Sequence, residues 1–204
     1  MFDITRQVTS VQRVVSQHSV VGGAQVSVLL RRNYVAPIEE LWRALTEPDR
    51  LRRWFLPITG ELREGGRYQF EGNAGGQILR CAAPRLVKIT FGDSVLEVRL
   101  AESDDGTGLE MMHSVPMEPI SSGAGALFVG PGWDVDLLVL DRYLQGEYVP
   151  GWENSAAAQE FSQQAIKAWA AATADSGTAD GDQIAAGVAA ASARFTPDLD
   201  QTTA

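Results

Sequence analysis

The chain has 204 residues, 45% of them hydrophobic, and a formal net charge of -9 at pH 7. An excess of 26 acidic over 17 basic residues argues against a protein that binds the phosphate backbone of nucleic acid and against attraction to anionic membranes. The single cysteine, Cys81, permits no intramolecular disulfide, which fits a reducing compartment. We expect its thiol to be a small buried hydrophobe.

The first 23 residues predict an N-terminal arm that packs on the body of the protein or on a partner. Valines recur there at a spacing that suits either a helix or a strand. The arm lacks the apolar core of a signal peptide, and no apolar run in the chain approaches the ~20 residues that span a bilayer. We therefore expect a cytoplasmic protein with no membrane insertion.

A strand and then two short helices are predicted after the arm. Residues 24–34 alternate between apolar and polar side chains, as a half-buried strand does. Pro37 suits a first helical position, and apolar residues follow it at i, i+3, i+4 and i+7 spacings. Pro48 disfavours a helical conformation in the residue before it, so the first helix should end there. Thr46 can cap the second helix, which carries Trp54 on its apolar side.

A run of hairpins follows the helix pair. Glycine-rich and Asp-Gly turns separate segments with strand character, and these segments are residues 60–70, 77–82, 86–91, 95–100 and 107–115. Consecutive hairpins predict an antiparallel meander, and a meander after helices indicates the α+β class. Its apolar face needs a cover, and the predicted cover is a helix from Trp133 to Leu144. Residues 117–130 are predicted to form a loop whose glycines would permit movement.

The composition changes after Pro150. Alanines open a helix that Asn154 or Ser155 can cap, and Phe161, Ala165 and Trp169 form an i, i+4, i+8 stripe along it. A second helix follows. We therefore divide the chain into an arm (1–23), a central domain (24–150) and a helical extension (151–204), which packs on the domain or forms a homodimer.

Four linked motifs in this order resemble the START-like (SRPBCC) superfamily. They are VAPIEELWRALTEPDRLRRWF, GxLRxGGRY, EGNAGGxI and a GPGWD segment followed by leucines. The closest likeness is to homologues of the heat-shock-protein-90 ATPase activator, over about residues 24–144. The resemblance implies a helix-grip fold, in which a curved antiparallel sheet wraps a C-terminal helix and two short helices follow the first strand. The extra C-terminal helices would be an addition to it.

The resemblance also implies a cavity between the sheet and the closing helix. The candidate ligand-binding residues are Trp54, Phe70, Leu96, Val98, Leu109, Met111, His113, Trp133 and Leu137. His113 shares the face of Leu109 and Met111 by period-two spacing. It is either a hydrogen-bonded core histidine, a polar anchor for a ligand or an acid/base group. The chain carries no nucleophile motif and no metal-ligand spacing, so we assign no catalytic residue and expect no cofactor.

These observations favour binding of a small hydrophobic molecule over a specific reaction. One alternative is a chaperone-associated protein of the stress response, as the family name implies. The arm is too short to be the additional N-terminal domain of the eukaryotic activators, which disfavours direct chaperone contact. The other alternative is an enzyme like the polyketide cyclases and aromatases of the superfamily, with His113 as acid/base group.

Overall fold

A computed structural model describes residues 3–20, 23–116 and 122–199 of the protein. Within these ranges, eight strands form one sheet: β1 (Gln12–Val20), β2 (Gly23–Tyr34), β3 (Ile58–Gly60), β4 (Arg67–Phe70), β5 (Gly75–Ala82), β6 (Leu86–Phe91), β7 (Ser94–Ser103) and β8 (Gly106–Pro116). Their order in space is β1-β2-β8-β7-β6-β5-β4-β3, and every pairing is antiparallel.

Six helices pack on this sheet or on one another: α1 (Ile4–Thr9), α2 (Ile38–Thr46), α3 (Pro48–Trp54), α4 (Ala126–Leu144), α5 (Ala156–Ser176) and α6 (Gly181–Phe195). Short 3₁₀ turns precede α4, at Gly123–Gly125, and α5, at Trp152–Asn154. The curved sheet wraps α4, with α2 and α3 between them. The predicted α+β helix-grip fold is confirmed.

One core joins the inner face of the sheet to α2, α3 and α4. It includes fully buried leucines of β2, α2 and α4, namely Leu30, Leu41, Leu127 and Leu140. The buried hydroxyl of Tyr34 on β2 donates a hydrogen bond to the backbone oxygen of Leu137 on α4, at 3.0 Å. This bond fixes the axial position of α4 over the sheet, because a buried phenol needs a partner.

The arm forms structure that the sequence left undecided between helix and strand. Residues 4–9 are helical, and residues 12–20 form the edge strand β1, which pairs with β2. The strand expected to come first, residues 24–34, is therefore the second. The division at residues 23 and 150 stays a prediction; both flanking segments pack on the central domain.

Asp134 of α4 ties the arm and the extension to the domain. The guanidinium of Arg13 on β1 donates hydrogen bonds to both carboxylate oxygens of Asp134, at 2.9 and 2.8 Å. The indole N–H of Trp169 on α5 donates to the same carboxylate at 2.7 Å. The same guanidinium donates to the backbone oxygens of Val8 and Val11. Asp134 and Trp169 are fully buried, so three elements meet at one charged cluster.

Helix α4 begins at Ala126, seven residues before the predicted start at Trp133. The predicted loop ended at Gly130, and Pro131 also disfavours a helix here, since proline has no N–H to donate within a helix. Packing overrides these preferences, because the ring of Trp169 lies directly against Gly130. Of the predicted mobile loop, residues 117–121 lie outside the described residues and residues 123–130 are helical and mostly buried.

Three smaller predictions were also wrong. Residues 60–70 are not one strand; they contain the last residue of β3, a turn and the whole of β4. Thr46 does not cap α3; its hydroxyl donates to the backbone oxygen of Trp42 one turn back, at 2.7 Å. Cys81 is exposed, because the register of β5 shifts between Ile78 and Arg80 and turns the end of the strand outward.

One helical segment among the described residues, Gly123–Leu144, is long and apolar enough to cross a membrane by length and composition alone. Within the fold, 61% of its most apolar window is buried. That is the behaviour of the central helix of a helix-grip domain, which is apolar because it is enclosed.

Candidate ligand-binding cavity

A cavity of about 150 Å³ that is partly open to solvent, which we call the apolar cavity, lies between the inner face of the sheet and the side of α4. Eight of the nine residues predicted to bind a ligand line it: Trp54, Phe70, Leu96, Val98, Leu109, Met111, Trp133 and Leu137. The structure thus brings together side chains from α3, α4 and three strands. Their binding of a ligand stays a prediction, while their convergence on one space is a fact of the fold.

Sequence reasoning missed part of the wall. Leu45 of α2, Ile58 of β3 and Leu140 of α4 also line the cavity. On β5 both Ile78 and Leu79 are apolar, so the sequence could not decide which one faces inward. The structure places Ile78 in the cavity wall and leaves Leu79 at 40% exposure.

An open cleft of about 360 Å³ adjoins the apolar cavity. The two spaces share the residues Trp54, Phe55, Phe91, Trp133 and Asp136, which therefore form a partition between them. The cleft is more polar, with Glu153 and Arg194 among its lining residues. Four aromatic rings and one carboxyl group thus separate the apolar cavity from the cleft, which is open to solvent.

His113, the ninth predicted residue, lines the cleft and not the apolar cavity. The indole N–H of Trp133 donates to its Nδ1 at 2.9 Å, so that nitrogen carries no proton. Its Nε2 lies 2.6 Å from the hydroxyl of Ser94, whose own proton goes to the backbone oxygen of Phe91. The imidazole is therefore neutral, with its proton on Nε2. The geometry favours the hydrogen-bonded core histidine, which holds the Trp133 indole in place.

This arrangement is the reverse of a Ser-His catalytic pair. In such a pair the imidazole accepts the serine proton, and a carboxylate accepts a hydrogen bond from the N–H of the other ring nitrogen. Here the imidazole donates to Ser94 and accepts from Trp133. Burial also lowers the pKa of His113 to about 4, which leaves it a weak base at neutral pH.

We expect His113→Phe to change the pH dependence of stability. The pKa of this ring falls from its ordinary 6.5 to about 4 on folding. Between these values the unfolded chain binds the proton first, so the stabilisation is complete above pH 6.5 and is lost as the pH falls. The variant should be about 2 kcal/mol less stable at pH 7.5, because the Trp133 N–H loses its acceptor.

At pH 5 most of that difference should disappear, because the wild type loses about 2 kcal/mol that the variant does not. Urea unfolding of both proteins at several pH values measures the difference directly. Contributions from other titrating groups cancel in the comparison. If the stability difference between the two proteins stays constant with pH, it would contradict a neutral imidazole that makes two hydrogen bonds.

Of the residues that the structure describes, Asp136 is the one acidic side chain that lines both spaces. No described hydrogen bond or ion pair engages its carboxyl group, and burial raises its pKa to about 7, with the negative charge of Glu153 adding to the rise. The sequence analysis did not single it out. The signal was present, since Trp133, Asp136, Leu137 and Leu140 follow an i, i+3, i+4, i+7 pattern on one helix face.

No group of three or more His, Cys, Asp or Glu side chains in the described ranges could hold a metal ion. Cys81 lines the cavity although the residue is exposed, so its thiol lies at the outer margin of the wall. The arrangement as a whole offers apolar burial and a single polar group, which is typical of small-molecule binding sites.

Fold and site together define a START-like helix-grip domain with an internal apolar cavity. Residues 35–145, more than half of the chain, match the family described as "Activator of Hsp90 ATPase homolog 1-like protein". The chain belongs to this family, which confirms the resemblance. No functionally curated protein matches the chain.

Among solved structures, the chain is similar to CalU16 from Micromonospora echinospora. The crystal structure of CalU16 shares 36% sequence identity with a TM-score of 0.68, over 80% of this chain and 98% of CalU16. The likeness thus extends beyond residues 35–145. Protein EF2215 from Enterococcus faecalis is 18% identical with a TM-score of 0.61, over 83% of this chain and 95% of EF2215, and shows the common fold alone.

Proposed function

We propose that the protein binds a small hydrophobic molecule in the apolar cavity. The observation that carries the proposal is a space of about 150 Å³ whose lining is apolar except for a few groups, chiefly Thr46 and Asp136. An apolar cavity of roughly this volume stays free of water and accepts a ligand the size of benzene. In the present conformation, the cavity suits a body of about one ring.

Energetics support the same function. At roughly 24 cal/mol per Å³, an empty cavity of this size costs the fold about 4 kcal/mol relative to a filled core. A ligand that fills the space recovers dispersion contacts and buries its own apolar surface at roughly 25 cal/mol per Å². The cost of association is subtracted from this gain.

The partition between cavity and cleft supports a route for entry. Trp133 and Phe91 lie in tilted contact, with ring centres 5.9 Å apart, and Phe55 packs edge-on against Phe70 at 5.2 Å. Rotation of the phenyl rings of Phe55 and Phe91 would connect the two spaces, while the hydrogen bond to His113 holds Trp133 in place. A ligand larger than the present cavity would then extend into the cleft.

Filling the cavity with a side chain should abolish binding. Val98→Phe places a phenyl group in the space, and we expect a folded protein whose melting temperature no longer rises with toluene. Val35→Phe is the matched control, because Val35 is 85% exposed and distant from the cavity wall. The control should respond to toluene as the wild type does. Calorimetric or fluorescence-detected unfolding with and without toluene gives the comparison.

An unchanged toluene response in a folded Val98→Phe protein would refute the cavity as the binding site. Mass spectrometry of the purified wild type, first native and then denatured, adds an independent test with any ligand retained from the cell. An excess mass that vanishes on denaturation supports the proposal. Loss of that excess in Val98→Phe would place the ligand in the cavity.

A further inference from the structure

We infer that the natural ligand is a hydrophobic amine, whose hydrophobic body fills the apolar cavity and whose ammonium group pairs with the carboxylate of Asp136 at the aromatic partition. The inference rests on the proposed function, because it names the chemical class of the molecule bound there. It follows from the position of Asp136, the charges around it and the rings beside it.

The position of Asp136 gives any occupant of the cavity access to its carboxyl group. Asp136 lines the apolar cavity together with apolar side chains, and it lines the cleft as well. No described hydrogen bond, ion pair or other contact occupies the carboxyl group. A half-buried carboxyl group without a partner is unfavourable, so a ligand that supplies a donor removes a cost that the empty protein bears.

The charges around Asp136 favour a cation. Among the described residues, no Lys, Arg or His side chain lines the apolar cavity. In the cleft, Glu153 adds a second negative charge near Asp136, and His113 is neutral. Among the described residues, Arg194 is the one cation that lines the cleft, and its guanidinium lies over the rings of Phe128 and Phe195, at 4.8 and 5.1 Å from their centres.

The rings of the partition favour a cation independently. Trp54, Phe55, Phe91 and Trp133 line both spaces together with Asp136. Aromatic faces attract ammonium groups through their quadrupoles, and the attraction is stronger where water is excluded. A carboxylate among four rings thus offers an ammonium group two kinds of attraction, whereas a neutral hydroxyl gains one hydrogen bond and a carboxylate ligand is repelled.

Protons compete with the amine for Asp136. With the pKa of the free carboxyl at about 7, a pH change from 8 to 6 converts it from mostly ionised to mostly protonated. Amine affinity should fall about tenfold over this range. His113 stays neutral throughout it, because its pKa is about 4. Glu153 and Arg194 are the other charged groups that line the cleft within the described residues.

Three probes that share one ring test the inference: benzylamine, benzyl alcohol and benzoate. We expect the wild type at pH 8 to bind benzylamine at least tenfold more tightly than benzyl alcohol, and benzoate more weakly than either. Asp136→Asn should bind the alcohol and lose the preference for the amine. Glu160→Gln removes a charge from an exposed position on α5 and should keep it. Titrations followed by ¹H–¹⁵N correlation spectra report affinity, site and fold.

The outcomes separate this inference from the proposed function. Equal affinities for benzyl alcohol and benzylamine would overturn the amine class and leave the cavity as a binding site. A preference that survives in folded Asp136→Asn would overturn the role of Asp136. If no probe, toluene included, perturbs the cavity residues, the proposed function fails and the inference with it. The wild-type pH series needs no variant, and an amine affinity that does not change between pH 8 and 6 contradicts pairing with Asp136.

Discussion

Replacing Asp134 by asparagine should destabilise the protein by about 3–5 kcal/mol, the usual cost of removing one partner of a buried ion pair. The side chain of Asp134 is fully buried and that of Arg13 is 6% exposed. The amide would leave the guanidinium without a counter-charge in a dry environment. It would also weaken the hydrogen bond from the Trp169 indole. Urea unfolding at pH 7.5 measures the loss.

Two comparisons show whether the buried charge is the cause. Glu110→Gln breaks an ion pair with Arg31 of similar geometry, 2.7 Å between atoms, on an exposed face, and should cost less than about 1 kcal/mol. The double variant Arg13→Met with Asp134→Leu removes both charges and should recover much of the stability lost in Asp134→Asn. A small cost for Asp134→Asn, equal to that of Glu110→Gln, would contradict this account.

The Asp134 cluster also supports the cavity from outside. Asp134 and Asp136 are two residues apart on α4 and therefore face different directions. Asp134 points to β1 and α5, and Asp136 points to the cavity beside Trp133 and Leu137. The arm and the extension thus hold the helix that closes the cavity. We expect Asp134→Asn to weaken toluene binding as well, even though Asp134 does not line the space.

The central fold could be predicted because its signals are local. Pro37, Pro48 and the apolar spacing between them predict α2 and α3 to within a residue or two. Glycine turns and period-two alternation predict most strands of the meander. Five of the eight predicted residues that line the cavity lie on strands and follow from the same alternation, and the three on helices follow from the family's arrangement of sheet and helix.

What escaped prediction depends on contacts between distant parts of the chain. The outward turn of Cys81 follows from a register shift in β5. His113 is kept neutral by Ser94 and Trp133, which lie 19 and 20 residues away. In a helix that began at Trp133, Asp134 and Asp136 would lie in the first turns, where negative charge is favourable. In the structure α4 starts at Ala126, so both lie in its interior, one paired and one free.

The start of α4 leads to the second large effect, on Gly130. Alanine in place of glycine within a helix normally stabilises it by about 1 kcal/mol. At Gly130 we expect the opposite, a loss of about 3 kcal/mol, since overpacking a core costs this much when neighbours cannot yield. An added Cβ would lie 2.3 Å from the ring of Trp169. That ring is fully buried and bound to Asp134, so it cannot move without breaking the cluster.

Gly132 supplies the matched control on the other side of Pro131. A Cβ there would meet only the ring of Phe195 at 3.5 Å, an ordinary contact. Gly132→Ala should therefore leave the stability unchanged or raise it by up to about 1 kcal/mol. Thermal unfolding of both variants tests the pair. Equal effects of the two substitutions would mean that the backbone of α4, and not the Trp169 contact, sets the requirement for glycine. Opposite signs would show that this contact keeps α4 helical through Gly130-Pro131-Gly132 and thereby places Trp133 and Asp136 at the cavity.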